Sequence, residues 1–178
     1  VDINVVIEPA YEGAHELDAI HKAALNGGSV TLTEDVVLTT PLEVMAAMTI
    51  DLNGYNINNP VGYAIENYSE LTIEGNGDLN GMGAIRSHGG KVTINGGTFT
   101  GTSNWSTGTY QHLLKAENTE VVINGGTFDA TIGGTNNAMI NVSENSVVTI
   151  NGGTFKNVNG VIPQFAPYMV TYEKNGKL

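Results

Sequence analysis

Two carboxylates carry the first chemical possibility in this chain. Asp51 and Glu74 stand at the same place in two related phrases, Met48-Thr-Ile-Asp-Leu-Asn-Gly-Tyr55 and Leu71-Thr-Ile-Glu-Gly-Asn-Gly-Asp-Leu79. Cleavage of a glycosidic bond needs two carboxyl groups on either side of it, about 5–5.5 Å apart for retention and about 6.5–9.5 Å apart for inversion. If the two phrases are successive rungs of one repeat, these side chains lie about one strand spacing apart on one face. The equivalent position is Asn95, Asn124 and Asn151 in the next three units, which points instead to a solvated or ladder-forming row that tolerates any polar residue. A second constellation suits binding. Trp105, the only tryptophan, stands with Asn104, Tyr110 and His112 among small polar residues, and the next unit carries Asn136 in a comparable polar stretch. Aromatic faces stack on sugar rings while amides and hydroxyls bond the rim. The alternative is that Trp105 folds over its own loop or packs against a neighbouring subunit.

Other chemistries find less. The histidines, at 15, 21, 88 and 112, do not recur at metal-ligand spacings, and without cysteine a thiolate site is excluded. No metal and no cofactor is expected. A formal charge of −11, from 18 acidic against 7 basic residues, disfavours nucleic acid and anionic membrane surfaces as partners. No apolar run approaches the ~20 residues needed to span a bilayer, so membrane insertion is not expected.

The elements that would position these residues are written as a repeat. Val92-Thr-Ile-Asn-Gly-Gly-Thr-Phe99 returns as Val121-Val-Ile-Asn-Gly-Gly-Thr-Phe128 and as Val148-Thr-Ile-Asn-Gly-Gly-Thr-Phe155. A unit that recurs every ~20–30 residues cannot bury its apolar side alone, so stacked units must share one core. The anchors Leu32, Ile50, Ile73, Ile94, Ile123 and Ile150 are separated by 18, 23, 21, 29 and 27 residues, one circuit each. A second strand precedes each anchor, in Ala64–Asn67, Ala84–Ser87, Leu113–Ala116 and Met139–Val142, and a third per circuit is plausible. The Ile column and the Phe99, Phe128, Phe155 column form the expected core. Asn95, Asn124 and Asn151 read as a hydrogen-bonded amide ladder, and each following Gly-Gly as a corner.

Ala14 to Leu25 has a helical period, with Leu17, Ile20, Ala24 and Leu25 apolar, and ends at Asn26-Gly-Gly28. Such a helix can cover the open end of a solenoid. The chain therefore divides into an N-terminal strand and capping helix (1–29), a parallel β-helix (30–160), and a C-terminal edge strand or tail (161–178). The stretches Thr100–His112 and Asp129–Asn137 enlarge two adjacent circuits at one point, so their loops should emerge on one side.

The helix, Gly27-Gly-Ser-Val-Thr-Leu-Thr-Glu-Asp35, the Asp51-Leu-Asn-Gly54 rung and the repeated Ile-Asn-Gly-Gly-Thr-Phe together resemble the right-handed parallel β-helices of the pectin-lyase-like superfamily, over roughly residues 14 to 160. The resemblance extends to repeat modules of bacterial surface proteins and of phage virions, in fibres and capsid-associated appendages. It implies an all-β solenoid with an N-terminal capping helix, and it is compatible with lyases, hydrolases, adhesins and structural parts alike. A lyase of this kind would use calcium held by clustered Asp and Glu, with an Arg or Lys base. Arg86, the only arginine, stands beside His88 with no acidic cluster near it in sequence, and reads as a surface residue paired with a neighbouring carboxylate. The expectation is a non-catalytic structural or adhesive module, extracellular, on a virion or bacterial cell surface. Its expected partners are other surface or virion subunits, cell-surface glycans and further copies of itself. The alternative is a polysaccharide lyase or glycoside hydrolase with Asp51 and Glu74 as its carboxylates.

Overall fold

In a computed structural model, residues 12–101, 112–130, 139–143, 145–157 and 170–172 of the chain are described. One helix, Glu12–Asn26, leads into a parallel β-helix built from a seven-stranded and a nine-stranded sheet. Every strand pairing is parallel, the pattern of a chain that coils in one direction and stacks each circuit on the last.

The first face stacks Gly28–Thr31, Met48–Asp51, Glu70–Glu74, Lys91–Ile94, Glu120–Ile123, Val147–Ile150 and Val170–Tyr172, in that order. Its strands alternate inward Val, Ile, Leu or Met with outward residues that are mostly polar, as a period of two requires when one side is buried. Ile50, Ile73, Ile94 and Ile123 form one fully buried column. The column begins with Val30, which pairs with Ile50, and not with Leu32 as expected. Both residues face inward under strict alternation, so spacing alone cannot choose between them. Pairing from Gly28 beside Met48 onward decides the register, and Leu32 lies one position past the ladder, its N–H donating to Asp51 O at 2.9 Å.

A third strand per circuit is present. Thr98–Gly101, Thr127–Ala130 and Thr154–Asn157 form the second face, and Leu42–Val44, Leu114–Ala116 and Ile140–Val142 belong to the third. In two earlier circuits these faces share a single long strand, Ile57–Asn67 and Asp78–Ser87, because no long insertion separates them there. Leu79, Phe99, Phe128 and Phe155 fall in register on the second face. Phe99 and Phe128 are fully buried with rings stacked at 4.7 Å, and Phe155 closes the stack at 5.1 Å while half-buried.

The corner between the first two faces is the Asn-Gly-Gly turn. Asn124 Nδ2 donates to Asn95 Oδ1 at 2.9 Å and Asn151 Nδ2 to Asn124 Oδ1 at 2.8 Å, the expected amide ladder. The two glycines serve different ends. Gly126 has φ +88°, whereas a Cβ at Gly125 would approach Asn95 O to 2.7 Å, so the first allows the bend and the second close stacking.

The helix buries Ile20, Ala23 and Ala24 over the first circuit, and Ala24 O accepts the N–H groups of Met45 and Ala46 at 2.8 and 3.1 Å. Glu16 ties its other flank to Thr33, accepting from the backbone N–H at 3.1 Å and the hydroxyl at 3.2 Å. Gly27, at φ +85°, ends the helix with its N–H on Ala23 O. Leu25, assigned to the apolar stripe from sequence, is 62% exposed, and Ala23 fills the buried face in its place.

Candidate functional site

Asp51 and Glu74 are direct neighbours across the first face, in register on adjacent strands. Their local chemistry differs from that of a free pair. Asp51 Oδ1 accepts the N–H of Asn53 at 3.0 Å and braces the turn in which Asn53 adopts φ +47°, while Asn53 Nδ2 reaches back to Leu32 O at 3.0 Å. The Asp51 carboxylate also fills the space where a side chain at Gly75 would stand. The same corner runs on through Asn95, and an open groove of about 340 Å³ follows it, lined by Asn76, Gly77, Asn95 and Thr98 among others. Neither Asp51 nor Glu74 lines that groove, and Asp51 is already engaged in building the turn.

Trp105, Tyr110 and Asn104 lie in 102–111, and Asn136 in 131–138, outside the described residues. The strand ends that carry these two stretches are described. Thr98–Gly101 and Thr127–Ala130 pair with Thr100 opposite Asp129, so both segments depart from one corner on adjacent circuits. They return onto Leu114–Ala116 and Ile140–Val142, again in register. At the first return point His112 donates its N–H to the hydroxyl oxygen of Tyr63 at 3.2 Å. Tyr63 is buried and packs across Gly83, where a Cβ would collide with its ring. Burial raises the Tyr63 hydroxyl above the usual phenol range, with the His112 N–H and the Arg86 charge pulling the other way. His112 is therefore anchored at the base of the loop corner.

A charged cluster on the third face was not assembled by sequence reasoning. Glu66, Arg86 and Lys115 are register neighbours, and Tyr68, His88 and Glu117 follow at the strand ends. Arg86 Nε donates to Glu117 Oε2 at 2.9 Å and Lys115 Nζ to Glu117 Oε1 at 2.9 Å. The His88 ring sits between two carboxylates, with Nε2 against Glu66 Oε2 and Nδ1 3.5 Å from Glu117 Oε2, and it stacks on Tyr68 at 4.6 Å. The reading of Arg86 as paired with a carboxylate holds, but its partner comes from the next circuit, 31 positions away, where local sequence offers no motif. Superposing circuits by their anchors aligns His88 with Glu117 but leaves Tyr68 one position out, so the column of three appears only with the strand register. The network clamps three successive circuits beside the loop corner.

Desolvation pushes the Glu117 carboxyl up, but hydrogen bonds and charge from Arg86 and Lys115 together outweigh it and hold it below the ordinary carboxylate range. A folded-state pKa below the unfolded one gives stability that is complete above the unfolded value, about 4.3, and is lost as pH falls through the folded value. Urea midpoints measured from pH 6 to pH 2 should therefore show wild type more stable than Glu117→Gln at the neutral end, with the two converging in acid. A constant gap across that range would mean that the pairing contributes nothing through ionisation.

Among the described residues no three His, Cys, Asp or Glu side chains group as metal ligands, and no helix is long and apolar enough to cross a membrane. Compared with protein-family models, with curated proteins and with solved structures, the chain gives no match.

Proposed function

We propose that this chain is a non-catalytic β-helical module on a cell or virion surface, where it presents a loop-bearing corner to glycans and packs against other surface subunits. One observation carries the reading. The two enlarged segments leave and re-enter the coil at in-register positions on adjacent circuits, so Trp105, Tyr110 and Asn104 share a launching point with Asn136. The scaffold under that point is braced by the Glu66, His88 and Glu117 clamp, which suits a surface whose loops must keep a fixed spacing. The parallel β-solenoid with its N-terminal helix is what the pectin-lyase-like resemblance implied for fold. Its extension to phage virion and bacterial surface modules supplies the proposed setting.

A second reading, cleavage of a polysaccharide, draws on the register of Asp51 with Glu74. One experiment separates the two. The purified chain and its Trp105→Ala variant are screened on a glycan array, and bound oligosaccharides are analysed by mass. Binding that disappears in Trp105→Ala and leaves the oligosaccharides intact is expected. Shortened or unsaturated products, lost on replacing Asp51 and Glu74 by amides, would overturn the non-catalytic reading.

A further inference from the structure

Asparagine followed by glycine is a self-reactive pair. Lacking a Cβ, the glycine leaves its backbone nitrogen free to approach the asparagine side-chain carbon, and asparagine is among the residues most easily damaged by heat. Seven such pairs lie among the described residues, while Asn159-Gly160 and Asn175-Gly176 fall outside them. Six of the seven are restrained. Gly27 N–H donates to Ala23 O at 2.8 Å with Asn26 Nδ2 on Lys22 O at 3.1 Å, and Gly54 N–H donates to Asn76 O with Asn53 Nδ2 on Leu32 O at 3.0 Å. Asn80 lies inside a strand paired on both sides. The amide ladder ties Asn95, Asn124 and Asn151 together, and the N–H groups of Gly125 and Gly152 each donate at 3.3 Å to an isoleucine carbonyl one circuit below. At Asn76 neither reacting group is held. The residue is exposed, and among the described residues neither its side-chain amide nor the Gly77 N–H has a hydrogen-bond partner. The ladder misses it because Glu74 holds the ladder position on its circuit.

We propose that Asn76 is a self-modification site, turned into aspartate and isoaspartate by its own main chain. The Gly77 nitrogen bonds to Asn76 Cγ, the Cγ–Nδ2 bond breaks, and the Gly77 proton leaves with that nitrogen as ammonia, closing a succinimide. Water then opens the ring. Addition at Cγ leaves aspartate in the normal chain, and addition at the main-chain carbonyl carbon leaves isoaspartate, with one extra carbon in the chain path. Both products place a new negative charge in the wall of the groove that Asn76 and Gly77 line, between Glu74 and Asp78 in sequence. Isoaspartate also lengthens the chain where Gly77 already packs against Tyr55 O on the circuit below, so the corner cannot keep its stacking. The site is an age mark that loosens one corner of the coil.

The test incubates the full folded chain in mildly alkaline buffer and follows each pair by peptide mapping, with fragmentation that separates aspartate from isoaspartate. Asn76 should convert at least about tenfold faster than Asn95, Asn124 or Asn151, since those must first give up hydrogen bonds. In guanidinium chloride that lead should collapse, because unfolding frees every pair. Asn124→Ala, checked for folding by its melting temperature, cuts the ladder. Asn95, whose Gly96 N–H has no partner among the described residues, should then convert severalfold faster. The converted chain, isolated by ion exchange, should melt below the unmodified one. Conversion of Asn76 no faster than that of the ladder residues would overturn the site, and so would a lead that persists in guanidinium chloride, since local sequence alone would then explain it. An Asn95 rate untouched by Asn124→Ala would overturn the ladder as the protecting element. Equal melting of converted and unmodified chains would overturn the loosening of the corner.

Discussion

Phe128→Ala is expected to destabilise the chain by about 3–5 kcal/mol, seen as a fall in melting temperature of roughly 6–20 °C. Phe128 is fully buried and has a ring stacked on each side, Phe99 at 4.7 Å and Phe155 at 5.1 Å. Truncation removes the transfer energy of the ring, opens a cavity between two rigid circuits, and breaks both stacking contacts at once. Relaxation cannot close the gap, because the neighbouring circuits are held at the strand spacing by their backbone ladders. Phe155→Ala provides the internal comparison. That ring is half-buried and has one aromatic neighbour among the described residues, so its loss should be less than half as large. Urea denaturation of the two variants checks the order. Equal losses would show that the stack is not what holds the later circuits together.

The second large effect is expected at Gly77. Its φ is +140°, a conformation open almost only to glycine, and a Cβ there would run into the backbone carbonyl oxygen of Tyr55 on the circuit below. Strain of about 1–3 kcal/mol and overpacking of a similar about 1–3 kcal/mol combine to about 2–6 kcal/mol for Gly77→Ala. Gly54→Ala isolates the first contribution, because Gly54 has φ +90° but open space where the Cβ would stand. Gly89→Ala lacks both penalties and should be neutral or slightly stabilising. Thermal melts of the three variants should fall in the order Gly89, Gly54, Gly77. A Gly77→Ala protein as stable as Gly54→Ala would mean that the circuits are free to spread apart at this corner.

Much of the fold was legible because the repeat writes its columns into the sequence. Ile94, Ile123 and Ile150 each open the same Ile-Asn-Gly-Gly-Thr-Phe phrase, and the structure places them in register. The amide ladder was readable for the same reason. Legibility failed where a pattern had two physical solutions. Val30 and Leu32 both satisfy inward alternation, and only pairing from Gly28 onward resolves them. Leu25 fits the helical period but lies past the width of the buried stripe. The third-face cluster was invisible for another reason. Glu66, His88 and Glu117 are brought together by coiling alone, and the column Tyr68, His88 and Glu117 holds three different side-chain types, which carry no repeat signature.

The junction between the anchor isoleucine and the corner asparagine has a consequence for how such a chain can grow. Ile94-Asn95, Ile123-Asn124 and Ile150-Asn151 are the same dipeptide at the same place in three circuits. An in-frame tandem duplication of the 29 residues from Asn95 to Ile123 would join Ile123 to a second Asn95, recreating a native junction at both ends. The gene could therefore lengthen by whole circuits through unequal recombination, with every inward column, the amide ladder and the phenylalanine stack carried through unbroken. Each such event would also copy the Trp105 segment, so length and loop number would increase together.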